Sequence, residues 1–497
     1  MPNIILNNKL LISACFLLNM LSVPVYAENN PAQDKLPLDT VVIMDSSGSM
    51  KQTDPKQLRK PAAKLFISLL DNQDRLSVVS FSSKAWPITY LTQLESDKQL
   101  NQALRATDKI SHKGMYTNIH SAIAKGIEFL KESDQINREP IIILMSDGQM
   151  DVGNKEQSAQ LREKIFEDLL PQLIEHNIKI YSIAFTEASD QELLQEVADA
   201  TDGRYALAAS DDVLHKVFSK IFEQTKQPDM LPLNENKFIV DASINEITII
   251  ANKASENSQI YLQPPGGEKI NSTFKSEKVK WFVSTSFDMI TIQKPDEGEW
   301  KILFSDDDNR AYIVTDIKLR TRFEFNQESY QPEIIIKSWF LQNEETEAGQ
   351  ELLNNMQVTL EIEHPDDTIE TFPVDAANEA GEFIIHYKPL LDGVYGASII
   401  AKSRTFQRQQ TFSFKNSMPT EPEIIEEPVK EPEIEKPPVV EPEPVPVDDE
   451  EGEDTTKMLI YFGIFNVVLI FIGLNGFLIY RHFKSNKTSS TNTSKEE

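Results

Sequence analysis

A single cysteine in 497 residues, Cys15, leaves no room for a disulfide framework. It falls inside an apolar N-terminal stretch, so a chain trimmed of that stretch has no cysteine at all. Exported domains of such a chain must be held by hydrophobic cores alone. Cation excess is also missing: 49 Lys and Arg stand against 78 Asp and Glu, for a net charge of −29. That balance argues against nucleic acid, because phosphate recognition concentrates Lys and Arg. No Gly-x-Ser-x-Gly elbow and no His-Glu-x-x-His pair is present, so the usual hydrolase and zinc-protease signatures are absent. The chain therefore reads as no enzyme, with no small-molecule substrate. His112 and His120 read as loop-surface and helix-face residues rather than as catalytic ones.

Both ends carry apolar runs. Lys9, the run Leu10–Leu21 and the small-residue site Val25-Tyr26-Ala27 form a signal peptide over 1–27. Ile12-Ser13-Ala14-Cys15 resembles a lipoprotein box, but the apolar run continues through Phe16, Leu17, Leu18, Met20 and Leu21, which favours cleavage after Ala27. Met458–Tyr480 holds no charge and is long enough to cross a bilayer as one helix. Arg481, His482, Lys484 and Lys487 follow it, which makes 481–497 a cytoplasmic tail and leaves the bulk of the protein outside. These features fit a single-pass protein of the bacterial cell envelope. An inner membrane with a periplasmic head is preferred, and a Gram-positive surface stays open. Before the span, 417–456 is a Pro/Glu-rich linker in which Glu-Pro-Glu recurs at Glu421, Glu431 and Glu441. Thr420–Asp454 alone holds fifteen acidic side chains against two Lys, or −13. Such a segment is expected to be extended and disordered.

From 36 to 226, strands and helices alternate. Asp39–Met44, Leu76–Phe81, Ile141–Met145 and Ile178–Phe185 read as buried parallel strands, built around apolar runs such as Val41–Met44 and Ile141–Met145. Helical periods cover Asp54–Leu70, Gln99–Ile110, Thr117–Leu130, Glu156–His176, Ser189–Ala198 and Asp211–Glu223. This is the pattern of an α/β domain with a doubly wound, mostly parallel, Rossmann-like sheet. After Gln227-Pro228-Asp229 the helical period stops and short β-rich runs with turn signals take over. They predict two Ig-like β-sandwiches, over 235–315 and 316–416, with Trp281 and Trp300 as core residues.

Three loops carry the chemistry. The first apolar strand stops at Asp45-Ser46-Ser47-Gly48-Ser49, placing a carboxylate and two hydroxyls on one tight turn. Ile141–Met145 stops at Ser146-Asp147-Gly148, and between them Gly114-Met115-Tyr116-Thr117 leads into a helix. Hard oxygens at strand ends suit a small hard cation. Taken singly, each loop is equally a turn or a helix cap. Taken together, they resemble the metal-ion-dependent adhesion site of the von Willebrand factor A (VWA) family. The resemblance implies that Ser47, Ser49 and Thr117 bind Mg2+ (with Ca2+ or Mn2+ as alternatives) through their hydroxyls, while Asp45 and Asp147 act mainly through water and hydrogen bonds. It also implies that the cation captures an exposed Asp or Glu of a protein partner. A purely structural cation, or a scaffold role carried by the β domains or the membrane helix, are the alternatives. One departure stands out: the loop before Thr117 lacks the commoner double glycine.

Overall fold

The computed structural model describes residues 36–416 apart from 134–135, 209–212, 327–332, 343–345, 348–352 and 354–355. The expected signal peptide, acidic linker, membrane span and tail lie outside the described residues. Among the described residues, no helix is long and apolar enough to cross a membrane.

The first domain runs β1 (Leu38–Asp45), α1 (Met50–Thr53), α2 (Arg59–Leu69), β2 (Arg75–Phe81), β3 (Ala85–Pro87), β4 (Thr92–Gln93), α3 (Asp97–Asp108), α4 (Ile119–Leu130) and β5 (Glu139–Ser146). It continues with α5 (Lys155–Lys164), α6 (Leu170–Glu175), β6 (Lys179–Ala184), α7 (Gln191–Ala200), β7 (Arg204–Leu207) and α8 (Leu214–Lys226). The sheet has the order β3-β2-β1-β5-β6-β7, with β4 also on β2. Strands β2, β1, β5, β6 and β7 are parallel to their neighbours, and only the short β3 and β4 are antiparallel. Every residue of β1 is buried, because α2, α3 and α8 cover one face of the sheet and α4 to α7 the other. Strand order reverses between β1 and β5. Their C-terminal ends, Asp45 and Ser146, therefore border the crevice where such sheets bind ligands.

Two helices differ from the sequence reading. Asp54 does not open a helix. Its carboxylate instead accepts the Leu58 N–H (2.6 Å) and pairs with Arg59, and Gln57 turns through a positive φ of 54°, so α2 starts at Arg59. The expected helix 156–176 is interrupted by a π turn over Ile165–Leu169. Pro171 lies one turn on, has no N–H to give and crowds the preceding carbonyls, which the wider turn relieves.

Two sandwiches follow. In the first, β8 (Lys237–Val240), β9 (Ile244–Asn252), β10 (Tyr261–Gln263), β11 (Val279–Val283), β12 (Phe287–Gln293), β13 (Gly298–Leu303) and β14 (Arg310–Thr315) form sheets β10-β13-β8 and β11-β12-β9-β14. Phe238, Leu262, Trp300 and Ile302 of one sheet share a core with Ile247, Ile249, Ile290 and Ala311 of the other. Trp300 sits in that core, and the half-buried Trp281 packs against it while its indole N–H donates to Asp288.

In the second, β15 (Ile317–Asn326), β16 (Glu333–Gln342), β17 (Thr346–Glu347), β18 (Gln357–Glu363), β19 (Ile369–Val374), β20 (Phe383–Tyr387), β21 (Gly393–Lys402) and β22 (Gln407–Asn416) form two four-stranded sheets. Tyr395 is fully buried. Its hydroxyl donates to the Leu391 carbonyl (3.0 Å) and accepts the Leu391 N–H (2.7 Å), which resembles the tyrosine corner of Ig-like sandwiches.

The head and the sandwiches meet at α8. Phe218 and Phe222 of α8 share a core with Ile250, Phe287 and Tyr312 of the first sandwich. Beyond α8, Met230 pairs as a one-residue strand with Tyr312 of the first sandwich and Gln409 of the second.

Candidate metal centre

Where β1 ends, Ser46 gives both its N–H (2.8 Å) and its hydroxyl (2.7 Å) to the Phe81 carbonyl, tying the loop to the end of β2. This turns Asp45 inward. One Asp45 oxygen accepts the Ser47 N–H (2.7 Å), and the other accepts the Ser146 hydroxyl (2.8 Å) from the end of β5. Ser47 Oγ lies 2.9 Å from Ser49 Oγ. Ser49 donates to Asp147 Oδ1 at 2.9 Å, and Ser47 approaches the same oxygen at 3.4 Å. Although Ser49 precedes α1, its side chain makes no capping bond. The capping reading of the Asp45–Ser49 string therefore does not describe what its hydroxyls do.

Gly114 sets the position of the third loop. Its N–H donates to the Ser46 carbonyl (2.8 Å), and a Cβ there would lie 2.3 Å from Ser82 Cβ and 2.8 Å from the Ser46 carbonyl oxygen. The single glycine meets a close approach that no side chain fits. Three residues on, Thr117 exchanges two backbone hydrogen bonds with Asp151 (2.9 and 3.0 Å). The helix cap expected near Thr117 is supplied by Asn118, whose side chain accepts the Ser121 N–H at 2.9 Å. The Thr117 hydroxyl is thus free of capping and makes no hydrogen bond among the described residues, although Thr117 is only 5% exposed. It faces Gly148, 3.2 Å from where a Cβ would stand.

Asp45, Ser47, Ser49, Thr117 and Asp147 therefore converge on one spot at the ends of β1 and β5. All are buried except Ser49. Burial and, next, the charge of Asp147 push the Asp45 carboxyl up to about 6, against the hydrogen bonds from Ser47 and Ser146. Two carboxylates crowded together, ringed by hydroxyls with one of these unengaged, make a donor set that fits a hard divalent cation. Among the described residues there is no cluster of three or more His, Cys, Asp or Glu that could hold a metal. A cation here would rely on neutral hydroxyls and keep much of its charge.

His120 faces Lys164 and Asp168, not this spot, and burial lowers its pKa. Sequence reasoning passed over Ser146, which holds Asp45, and Thr53, whose hydroxyl donates to Asp147 Oδ2.

Residues 39–220 match the family model of the von Willebrand factor type A domain, so the chain carries that domain. An uncharacterized protein of Synechocystis sp. is 22% identical over 204 residues, covering 41% of this chain and 45% of that protein. The chain thus spans about half the length of this curated relative. Among solved structures, a von Willebrand factor type A protein from Catenulispora acidiphila is 13% identical, with 63% of each chain covered and a TM-score of 0.34. Proximal thread matrix protein 1 of the mussel byssus, solved with zinc in its adhesion motif, is 15% identical over 38% of this chain and 48% of that one, with a TM-score of 0.31.

Proposed function

We propose that this VWA domain is a divalent-cation-dependent protein-binding module, exported and anchored by the apolar run Met458–Tyr480. VWA domains commonly mediate protein–protein contacts. The observation that carries the reading is the convergence of Asp45, Ser47, Ser49, Thr117 and Asp147 at the switch point of the sheet, with the Thr117 hydroxyl making no hydrogen bond among the described residues. Ser47, Ser49 and Thr117 would hold the cation, with Mg2+ the preferred ion. Asp45 and Asp147 would orient the serines and balance part of its charge. When bound, the cation supplies an electrophilic seat for the carboxylate of a partner's Asp or Glu.

The chain's own part is to keep that seat fixed. Ser46 and Gly114 pin the first and third loops to each other, and Ser146 locks Asp45 across the strands. The role is capture, not turnover, and its place is the cell envelope.

The test is a pull-down on the purified protein with Mg2+ or with EDTA, followed by identification of the captured protein and amide replacement of its exposed acidic residues. Asp45→Ala and Thr117→Ala, each folded by circular dichroism, should lose the partner as completely as EDTA does. Capture by the wild type that EDTA does not reduce, or capture by Asp45→Ala in Mg2+ equal to that of the wild type, would overturn the reading. Hydrolysis of a generic ester or peptide that vanishes in Asp45→Ala would replace it with an enzymatic one.

A further inference from the structure

We infer that Thr53 is a sixth residue of the metal centre: a positioning residue that fixes the rotation of the Asp147 carboxylate. The inference rests on the cation-site reading above. Asp147 is only 3% exposed, and its two oxygens face different ways. Oδ1 takes the hydroxyls of Ser49 (2.9 Å) and Ser47 (3.4 Å). Oδ2 takes the hydroxyl of Thr53. With Oδ2 tied off, the carboxylate offers one oxygen to the serines and cannot swing its second oxygen among them.

Thr53 has other acceptors within reach: the Ser49 carbonyl at 3.3 Å, one helical turn back, and Met50 sulfur at 3.9 Å. A hydroxyl has one proton to give. A bond to a buried carboxylate is shorter and stronger than back-bonding to a helix carbonyl, so Asp147 takes it. The spacing makes this possible. Thr53 lies four residues after Ser49 on α1, so both hydroxyls project toward Asp147 from one face of a single turn.

The stub that carries Thr53 is itself held. The Asp54 N–H donates to the Met50 carbonyl (3.1 Å), and the Asp54 carboxylate binds the Leu58 N–H and the buried Arg59. Arg59 then donates to the Ser111 carbonyl (3.0 Å), at the start of the segment that leads to Thr117. Thr53 is therefore placed by the same frame that places the third loop. Loss of such an outer hydrogen bond typically weakens metal binding by about 10–100-fold.

The experiment uses full-length protein in detergent and Mn2+ alone as the probe, with free Mn2+ read from its electron paramagnetic resonance signal. Thr117→Ala supplies the baseline for cations held loosely by the acidic segment around Glu421–Asp454. Thr53→Val keeps the shape and removes the hydroxyl; Thr53→Ser restores it. The inference expects the Mn2+ dissociation constant to rise about 10-fold in Thr53→Val and to stay within about 3-fold of wild type in Thr53→Ser. Melting temperatures in EDTA show that both variants fold. Wild-type affinity in Thr53→Val, or equal weakness in Val and Ser variants, overturns the role of Thr53 and leaves the cation site standing. Wild type that binds no better than Thr117→Ala overturns the cation site and Thr53 with it.

Discussion

Replacing Asp45 with Asn should stabilise the cation-free protein at neutral pH while abolishing its response to metal. Burial and Asp147 raise the Asp45 carboxyl from 3.8 to about 6 in the folded chain. The folded protein then holds this proton more tightly than the unfolded chain does. The stability that Asp45 contributes is greatest below about pH 4, falls as pH rises through the window between 3.8 and 6, and stays reduced above it. At about 1.4 kcal/mol per pKa unit, the ionised Asp45 costs roughly 2–3 kcal/mol at pH 8. Asn carries no charge, keeps an acceptor for the Ser47 N–H, and offers Ser146 a donor in place of an acceptor. The assay is thermal unfolding in EDTA from pH 4 to 8. The two proteins should melt together near pH 4. Above pH 6 the variant should melt higher, by roughly 2–4 °C per kcal/mol in a domain of this size. Adding Mg2+ at pH 8 should raise the wild type and leave the variant unmoved. A gain no larger at pH 8 than at pH 4 would refute the argument that crowded buried charge defines this site.

Two further outcomes follow from packing. Gly114→Ala drives a Cβ to 2.3 Å from Ser82 Cβ, so the third loop must move, and Mn2+ affinity should fall by at least about 10-fold, read by the same resonance titration. Arg310→Met strands Glu223, a buried carboxylate already raised by burial and held down by Arg310 and Tyr312. The variant should lose about 3–5 kcal/mol at pH 7 in chemical unfolding. Glu223→Gln in the same chain should recover most of that loss, and a double variant as unstable as the single one would contradict it.

Strands β1 and β5 were legible because both faces are covered, which leaves the short apolar runs Val41–Met44 and Ile141–Met145, and β6 because Ile180, Tyr181, Ile183 and Ala184 keep it mostly apolar. The short edge strands β3, β4 and β7 were not: they are half-exposed, and two to four residues carry no period. Asp45, Ser47, Ser49, Thr117 and Asp147 stood out because each lies at the end of a visible strand or the start of a visible helix. Thr53 could not, because its meaning depends on Asp147, 94 residues away, and a threonine in a polar stretch signals nothing by itself. The π turn before Pro171 was hidden for the opposite reason: the apolar period runs through it unbroken, and only the proline marked the place.

Met230 gives the attachment of the head a mechanical meaning. The chain leaves α8 through Gln227 and at once becomes a strand. Met230 exchanges two backbone hydrogen bonds with Gln409 of the second sandwich (3.1 and 2.8 Å), while Leu231 donates to the Ala311 carbonyl and Asp229 accepts from Ile313 on the first (2.8 Å each). Tension on a protein caught at the metal face would leave the head along this segment and load both sandwiches at once, as shear across several bonds instead of a swivel about one. Such a mount transmits direction as well as force.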